Sequence, residues 1–514
     1  MAEKCVVPDN EGVPVLTSKR WILAYVAIVG FFFLYCVRTN ISVAIVCMVK
    51  TQQMNITTAG NLTQENLADV TQSCTIEESK GFDTAEFDWD KSIQSAILSS
   101  FFYGYLLLQI PGGWLAVRFG GKRVIGYMFV VNALTTLLVP VCARVDYRLV
   151  MALRILLGIS SSVTYPAMQS MWGLWAPPLE RSRLASFTYS GSLIGNIFAF
   201  SASGLLCEYG FDNGWGSIFY IIGIGTFLWA CLWMLVVADS PSKHPTISKQ
   251  ERRYIIDSIG DKDDEVRSTP WKKLFLCRAN WTCLTAHFCN NWMHYTLMTS
   301  LPTFMKAVLK FDIKTNGVLS AVPYIAMVVL SIAGGQLADW LIKNYFSTRF
   351  VRRSFQSVSF LCSAACLVGV GFVTCENRYV AVALLTTAVG LEGLVNSGYM
   401  VNTIDFAPRY AGLLFGINNT ISTIPGMLAP LVAGALTPND TPEEWRNVFY
   451  VCAGLISLGA LVFGCTAQTD LEPWARAANS EVTVAPPTPA KKLPEEHGVE
   501  PTSKEASVIC SERL

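Results

Sequence analysis

Gly112-Gly113-Trp114-Leu115-Ala116-Val117-Arg118 closes one long apolar run, with Gly120, Lys122 and Arg123 just beyond it. Gly334-Gly335-Gln336-Leu337-Ala338-Asp339 closes another, with Lys343, Arg352 and Arg353 beyond. The runs that follow these two also end alike, one through Trp175-Ala176-Pro177-Pro178 and the other through Phe406-Ala407-Pro408. Motifs that return in the same order mark an internal repeat, with 1–237 and 279–468 as parallel halves.

Working outward from these motifs, runs of about 20 mostly apolar residues, the length that spans a bilayer, fall at 22–49, 91–117, 123–143, 149–175, 185–207, 216–237, 279–305, 318–342, 355–374, 379–404, 410–436 and 447–468. We number them spans 1 to 12. Composition agrees. The 514 residues are 52% hydrophobic and only 15% charged, against about 25% charged in a soluble globular chain. Lipid has to cover part of such a surface. A net charge of +1 supplies no field for nucleic acid. The expected fold is an all-α membrane protein with twelve transmembrane helices in two six-helix pseudo-repeats. A charged linker at 238–278 joins them, and the proline-rich tail 469–514 reads as disorder.

Orientation follows the excess of basic residues on the cytosolic side. The loops after spans 2, 4, 8 and 10 and the linker are basic. The 50–90 loop is acidic and carries N-x-T sequons at Asn55 and Asn61. Both termini (1–20 at the front) are therefore expected in the cytosol, with a glycosylated 50–90 loop in a lumen or outside. Most of the sixteen cysteines, Cys47 among them, lie in apolar runs and read as small hydrophobes. No cysteine pair with matching partners and only four histidines argue against a metal site. No nucleophile–base pair suggests an enzyme. Cys74 and Cys375 fall in loops on the luminal, oxidising side and are read as a disulfide.

Charge inside hydrocarbon marks function by default. Arg38 lies in the outer half of span 1 and Arg154 in span 4, where Arg154, Gly158, Ser161 and Tyr165 share one helix face. Two guanidinium forks on these helices suit a carboxylate or phosphate. The competing reading is snorkelling or structural pairing. Glu392, halfway along span 10, is the deepest carboxylate. Desolvation favours its neutral form, so it could load and release a proton, or it could pair with a facing arginine. Tyr103, Tyr105, Tyr165, Tyr189 and Tyr295 add hydroxyls, and Asn291 is a weaker candidate. His287 and His294 share a face of span 7 and read as satisfied core residues.

The signature after span 2 is that of the major facilitator superfamily, with Val117 at its acidic position and Asp339 kept in the second copy. Arg38-Thr39-Asn40-Ile41-Ser42-Val43-Ala44, Ser100-Phe101-Phe102-Tyr103-Gly104-Tyr105, Val163-Thr164-Tyr165-Pro166-Ala167-Met168 and Trp175-Ala176-Pro177-Pro178-Leu179-Glu180-Arg181-Ser182 resemble solute carrier family 17. The resemblance runs from about Trp21 to Trp474. Ala286-His287-Phe288, Asn291-Trp292 and Leu301-Pro302-Thr303-Phe304 are similar to its sialic-acid-transporting branch. It implies alternating-access transport of a small anion: proton-coupled export of sialic acid and acidic sugars from lysosomes, with vesicular loading of acidic amino acids. Sodium–phosphate symport, voltage-driven glutamate transport and a non-transporting sensor are the alternatives, and vesicle or plasma membrane the alternative locations. It also implies that Arg38, Arg154, Tyr105, Tyr189 and Tyr295 match the anion site. Glu11-Gly12-Val13-Pro14-Val15-Leu16 resembles an acidic dileucine sorting signal for a cytosolic adaptor. One departure stands out: Leu157 and Ser161 occupy positions where the family pattern places glutamates, Ser161 that of the coupling carboxylate. Glu392 is expected to take over that role; loss of proton coupling is the rival outcome.

Overall fold

The computed structural model describes residues 17–50, 85–177, 180–259 and 270–475. A helix is the way a single segment satisfies its own backbone in lipid, and helices fill every expected run. Span 1 is Lys19–Met48, span 2 Lys91–Phe119, span 3 Gly121–Val145, span 5 Arg181–Tyr209 and span 6 Trp215–Val236. Span 7 is Arg278–Ala307, span 8 Ile313–Asn344, span 9 Thr348–Val370 and span 12 Pro442–Thr466. Short polar side chains start them. Ser18, Asp90, Asp312 and Ser347 accept from backbone N–H groups of the first turn, and Thr441 with Glu444 forms a capping box. Ten candidate spans among the described residues are long and apolar enough to cross a membrane. Spans 2 and 7 complete the twelve; span 7 is the more polar because its buried face carries His287, Asn290, Asn291 and Thr296.

Three spans are broken. Span 4 is Tyr147–Ser162 and then Thr164–Trp175, interrupted at Val163. Span 10 is Arg378–Glu392, a tight 3-10 stretch Gly393–Ser397, and then Tyr399–Phe406. Span 11 is Ala411–Ile421 and Ile424–Leu436.

Within the first half span 1 packs on span 5, span 2 on span 4 and span 3 on span 6. In the second half span 7 packs on spans 11 and 12, span 8 on span 10 and span 9 on span 12. The halves meet where span 5 crosses span 8 and span 2 crosses span 11. Their polar contacts gather toward the ends of the spans that carry the 50–90 loop. There Lys91 pairs with Asp440 at 2.6 Å, Lys306 Nζ donates to the Val46 carbonyl at 2.7 Å, and Lys314 Nζ donates to Tyr209 at 3.2 Å.

Three features depart from the sequence reading. Cys47 is not a small hydrophobe but is disulfide-bonded to Cys207, tying span 1 to span 5. The linker contains a helix, Lys249–Ile259. Its buried Glu251 accepts from the Lys19 and Arg20 N–H groups that open span 1, while Arg20, fully buried, donates to Glu180 at 2.7 Å. The start of the segment read as a disordered tail is docked: Glu472 N–H donates to the Phe406 carbonyl and Trp474 packs on Tyr410.

Candidate functional site

Arg38 sits 6% exposed in the half of span 1 nearer the 50–90 loop. Its guanidinium carbon lies 5.1–5.4 Å from the ring centroids of Tyr35, Phe101, Phe102, Tyr105 and Tyr295. Four rings come from spans 1 and 2, the fifth from span 7 of the other half. Aromatic faces hold a cation without using its N–H groups. Nε and Nη2 of Arg38 are buried with no hydrogen-bond partner. Buried charged donors are rarely left so. A caged guanidinium with open donors between two repeats is suited to a planar anion.

Arg154, expected as a second anion ligand, is placed differently. Its Nη1 and Nη2 donate to the carbonyls of Val37 and Arg38 at 3.1 and 3.0 Å. The fork is committed to the backbone beneath Arg38, so Arg154 positions that residue. The helix crossing that brings the rings in is close. A Cβ on Gly158 would lie 2.0 Å from the Phe101 carbonyl oxygen, and one on Gly104 1.9 Å from that of Ile155.

Of the expected tyrosines, Tyr105 and Tyr295 belong to the cage. Tyr165 donates to the Tyr35 hydroxyl at 3.3 Å and packs on Tyr189, whose own hydroxyl is buried without a partner. Tyr103 does not join them; it is 39% exposed. Asn291 donates to the Ser422 carbonyl at the break in span 11, a structural bond.

Glu392 is 2% exposed at the last position of the first half-helix of span 10. Its Oε1 accepts from Asn290 Nδ2 at 2.9 Å, and His294 Nδ1 lies 2.9 Å from the same oxygen. Its Oε2 is buried with no partner. His294 is therefore the partner of an acid, not the satisfied core residue expected. His287 fits the bland reading, stacked against Tyr399 and Phe415. Across the molecule Ser160 and Ser161 both donate to Asn132 Oδ1, and Leu157 is buried. The first half thus has a neutral amide–hydroxyl cluster at the level where the second half has an acid.

Tyr35 and Asn290 were not singled out in the sequence reading, and His294 was given a different role. Their signals were local: Tyr35 is three residues before Arg38, and Asn290 and His294 are four apart, spacings that share a helix face. Asn55, Asn61, Cys74 and Glu11–Leu16 lie outside the described residues. Cys375 is engaged rather than free.

Residues 27–430, and again 341–502, match the family model of the Major Facilitator Superfamily. The solved structure of a bacterial homologue of the human lysosomal transporter Spinster, inward-facing and unoccupied, superimposes with a TM-score of 0.67 at 12% identity, over 88% of this chain and 98% of that one. A D-xylose–proton symporter gives 0.63 at 13% identity, over 88% and 99%. These likenesses define a twelve-helix secondary transporter. Sialin of Ovis aries is 42% identical over 469 residues, 91% of this chain and 93% of that protein. Sialin of Homo sapiens is 40% identical with the same coverage. Vesicular glutamate transporter 2 of Homo sapiens is 38% identical over 463 residues, 89% of this chain and 75% of that one. The chain belongs to the Major Facilitator Superfamily and, within it, to solute carrier family 17, beside sialin and the vesicular glutamate transporters.

Proposed function

We propose that this chain exports a sialic-acid-like organic anion from an acidic lumen, that Arg38 binds the carboxylate, and that Glu392 takes the accompanying proton. The carrying observation is the Arg38 cage, whose buried Nε and Nη2 have no protein partner. Those two donors match the two oxygens of a carboxylate, and rings from both halves surround it. Arg154 and the Gly104–Gly158 crossing hold the cage in place. Glu392 lies where a half-helix ends, and the carbonyl-rich end of a helix favours a cation. Such breaks are where transporters place coupling ions. The basic linker supports a reading with the termini in the cytosol and the 50–90 loop in the lumen of a lysosome or vesicle.

A second reading is supported by the neutral cluster of Ser160 and Ser161 in span 4 with Asn132 in span 3. On it, transport runs without protons, on voltage or sodium. The test is labelled sialic acid uptake into proteoliposomes under a proton gradient, a membrane potential and a sodium gradient in turn. Proton-driven uptake that Arg38→Lys weakens about tenfold or more supports the first reading, because lysine cannot offer a paired fork. Flux of glutamate or phosphate under voltage or sodium, with no proton response, replaces it with the second. Three smaller proposals have simple readouts. Glycans on Asn55 and Asn61 are read by a glycosidase shift. A Cys74–Cys375 disulfide is read by a non-reducing gel shift lost in Cys74→Ser. Adaptor recognition of Glu11–Leu16 is read by relocation of Leu16→Ala to the cell surface.

A further inference from the structure

We infer that Glu392 and His294 act as one proton-accepting pair, and that this pair occupies the repeat counterpart of Ser161. The inference rests on the proton-coupled reading above and names how that site works. The register comes from the repeat itself. Ala176-Pro177 and Ala407-Pro408 close spans 4 and 10 and are 231 positions apart. The same offset carries Ser161 onto Glu392 and Val163 onto Leu394. Val163 is the break in span 4, and Leu394 lies in the 3-10 break of span 10. Two positions that correspond by sequence therefore lie in the last turn of two half-helices that correspond by structure. Interruptions at matching places in two repeats point to the functional centre of a transporter. One of the two positions is neutralised by hydroxyls on Asn132, and the other carries the acid.

The groups around the acid define what it can do. Span 7 contributes Asn290, His294 and Tyr295. Span 8 contributes Tyr324, whose hydroxyl is buried without a partner, and the second half of span 10 contributes Tyr399; both phenols lie close enough to sense the carboxylate charge. Span 9 offers the Ser359 and Ser363 hydroxyls, which donate to the Leu391 and Ala388 carbonyls, Gln356, which accepts from the Tyr399 N–H, and Arg352, which donates to the Ser397 carbonyl beyond the break. Arg38 faces the site from span 1 through the Tyr295 ring.

His294 Nδ1 lies 2.9 Å from Glu392 Oε1; with its proton placed on Nδ1 toward the carboxylate, Nε2 is the basic nitrogen. The His294 side chain is 17% exposed and that of Glu392 only 3%. The imidazole is thus the route by which a proton reaches the buried acid. A proton taken at Nε2 forms one N–H bond and turns the pair from net −1 to a neutral imidazolium–carboxylate. Tyr295 follows His294 in sequence and its ring centroid lies 5.4 Å from the imidazole and 5.2 Å from the Arg38 guanidinium. With no anion present, the charge of Arg38 faces the negative pair. An anion on Arg38 cancels that charge and leaves the pair uncompensated in a low-dielectric core. A proton on the pair then restores the balance. One proton per singly charged anion leaves the core with the same charge empty and loaded; Arg154 stays on its carbonyls throughout.

The experiment uses the full-length protein in proteoliposomes with two readouts. Sialic acid counterflow without ion gradients reports anion binding and alternation. Accumulation under a pH gradient reports coupling. Glu392→Gln is expected to lose accumulation while counterflow continues. His294→Gln, which keeps an amide donor but cannot titrate, is expected to move the half-maximal pH of accumulation down by about one unit or more, a tenfold loss of proton affinity. Ser161→Glu in the Glu392→Gln background is expected to restore accumulation. Wild-type accumulation in Glu392→Gln, or an unmoved pH midpoint in His294→Gln, overturns the pair. Counterflow without restored accumulation in Ser161→Glu/Glu392→Gln overturns the repeat equivalence. Should Glu392→Gln lose counterflow as well, His294→Gln alone decides. Failure of the underlying reading looks different: the unmodified protein then shows counterflow with no response to the pH gradient.

Discussion

Asp440→Asn should open the molecule at the 50–90 face. Asp440 Oδ2 lies 2.6 Å from Lys91 Nζ, with side chains 27% and 17% exposed. Lys91 begins span 2 and Asp440 precedes span 12, so the pair joins the halves. Asp440 also accepts from Trp445 Nε1 at 3.1 Å and has φ 57°. Asparagine keeps the acceptor oxygen and tolerates that left-handed backbone, so the substitution removes little but charge. An exposed pair contributes about 0.2–1 kcal/mol. This one is partly sheltered, and Lys306 stands near enough to sense both partners, so removing the acid leaves two lysines facing each other. We therefore take roughly 1–2 kcal/mol, a factor of about 5–30 in the equilibrium between closed and open. A cysteine at Ser95 reads it: Ser95 is 6% exposed and meets Gly434 of span 11 across the interface. Labelling of Ser95→Cys by an impermeant maleimide added on that side should accelerate by that factor in Asp440→Asn. Lys91→Met should act alike, and the double variant should add little, as for residues in one interaction. Unchanged labelling in Asp440→Asn, or full additivity, would refute the latch.

Gly158→Ala should push span 4 off span 2, because its Cβ meets the Phe101 carbonyl at 2.0 Å; overpacking of this kind costs about 1–3 kcal/mol, read as a lower Tm in detergent with a raised KM as the Arg38 rings shift. Cys47→Ser should lower the Tm through loss of the tie to Cys207, a constraint of about 2–4 kcal/mol, and reductant should lower the Tm of the unmodified protein by more than that of the variant. Glu86 is held below the ordinary carboxylate range, chiefly by hydrogen bonds from Arg144. A depressed folded value gives stability that is present above the unfolded value and lost as pH falls through the folded one. The Tm should therefore respond to Glu86→Gln equally at pH 7 and pH 5, and the difference should shrink only below about pH 4.

The twelve spans were legible because lipid demands long apolar runs and few other constraints compete. Arg38 and Glu392 were legible for the converse reason, as charge inside such runs. What the chain did not disclose is relational. Cys47 and Cys207 lie 160 residues apart in separate apolar runs, and only the packing of span 1 on span 5 makes them partners. Glu392 is 102 residues from Asn290, so its hydrogen bonds are set by the approach of span 10 to span 7. Arg154 misled for a similar reason. Its spacing with Gly158 and Ser161 fixes a helix face, but only the neighbouring backbone decides whether the fork reaches a carbonyl or an anion. The break at Val163 follows from Pro166, which cannot donate to the Ser162 carbonyl, and Gly390, Gly393 and Gly398 flank the break in span 10; both signals stand in the sequence, but neither shows which break lies beside a charged group.

The division of these groups between the halves constrains how transport is coupled. Arg38, Arg154 and four of the five cage rings lie on spans 1, 2 and 4, so the proposed anion ligand is set mainly by one half. Glu392, Asn290 and His294 lie on spans 7 and 10, so the acid is set by the other. Alternating access rocks the halves as nearly rigid bodies. The bonds to Glu392 can persist in both orientations, and so can the bonds from Arg154 to span 1. The contact between Arg38 and Tyr295 cannot, because it crosses the moving interface. Tyr295 sits beside His294 on the same helix, so a rearrangement of its ring against Arg38 changes the surroundings of the proton site directly. On the proposed reading, proton and anion communicate through Tyr295, which meets both Arg38 and Phe102 across the halves, and the charge on each side biases whether those contacts hold.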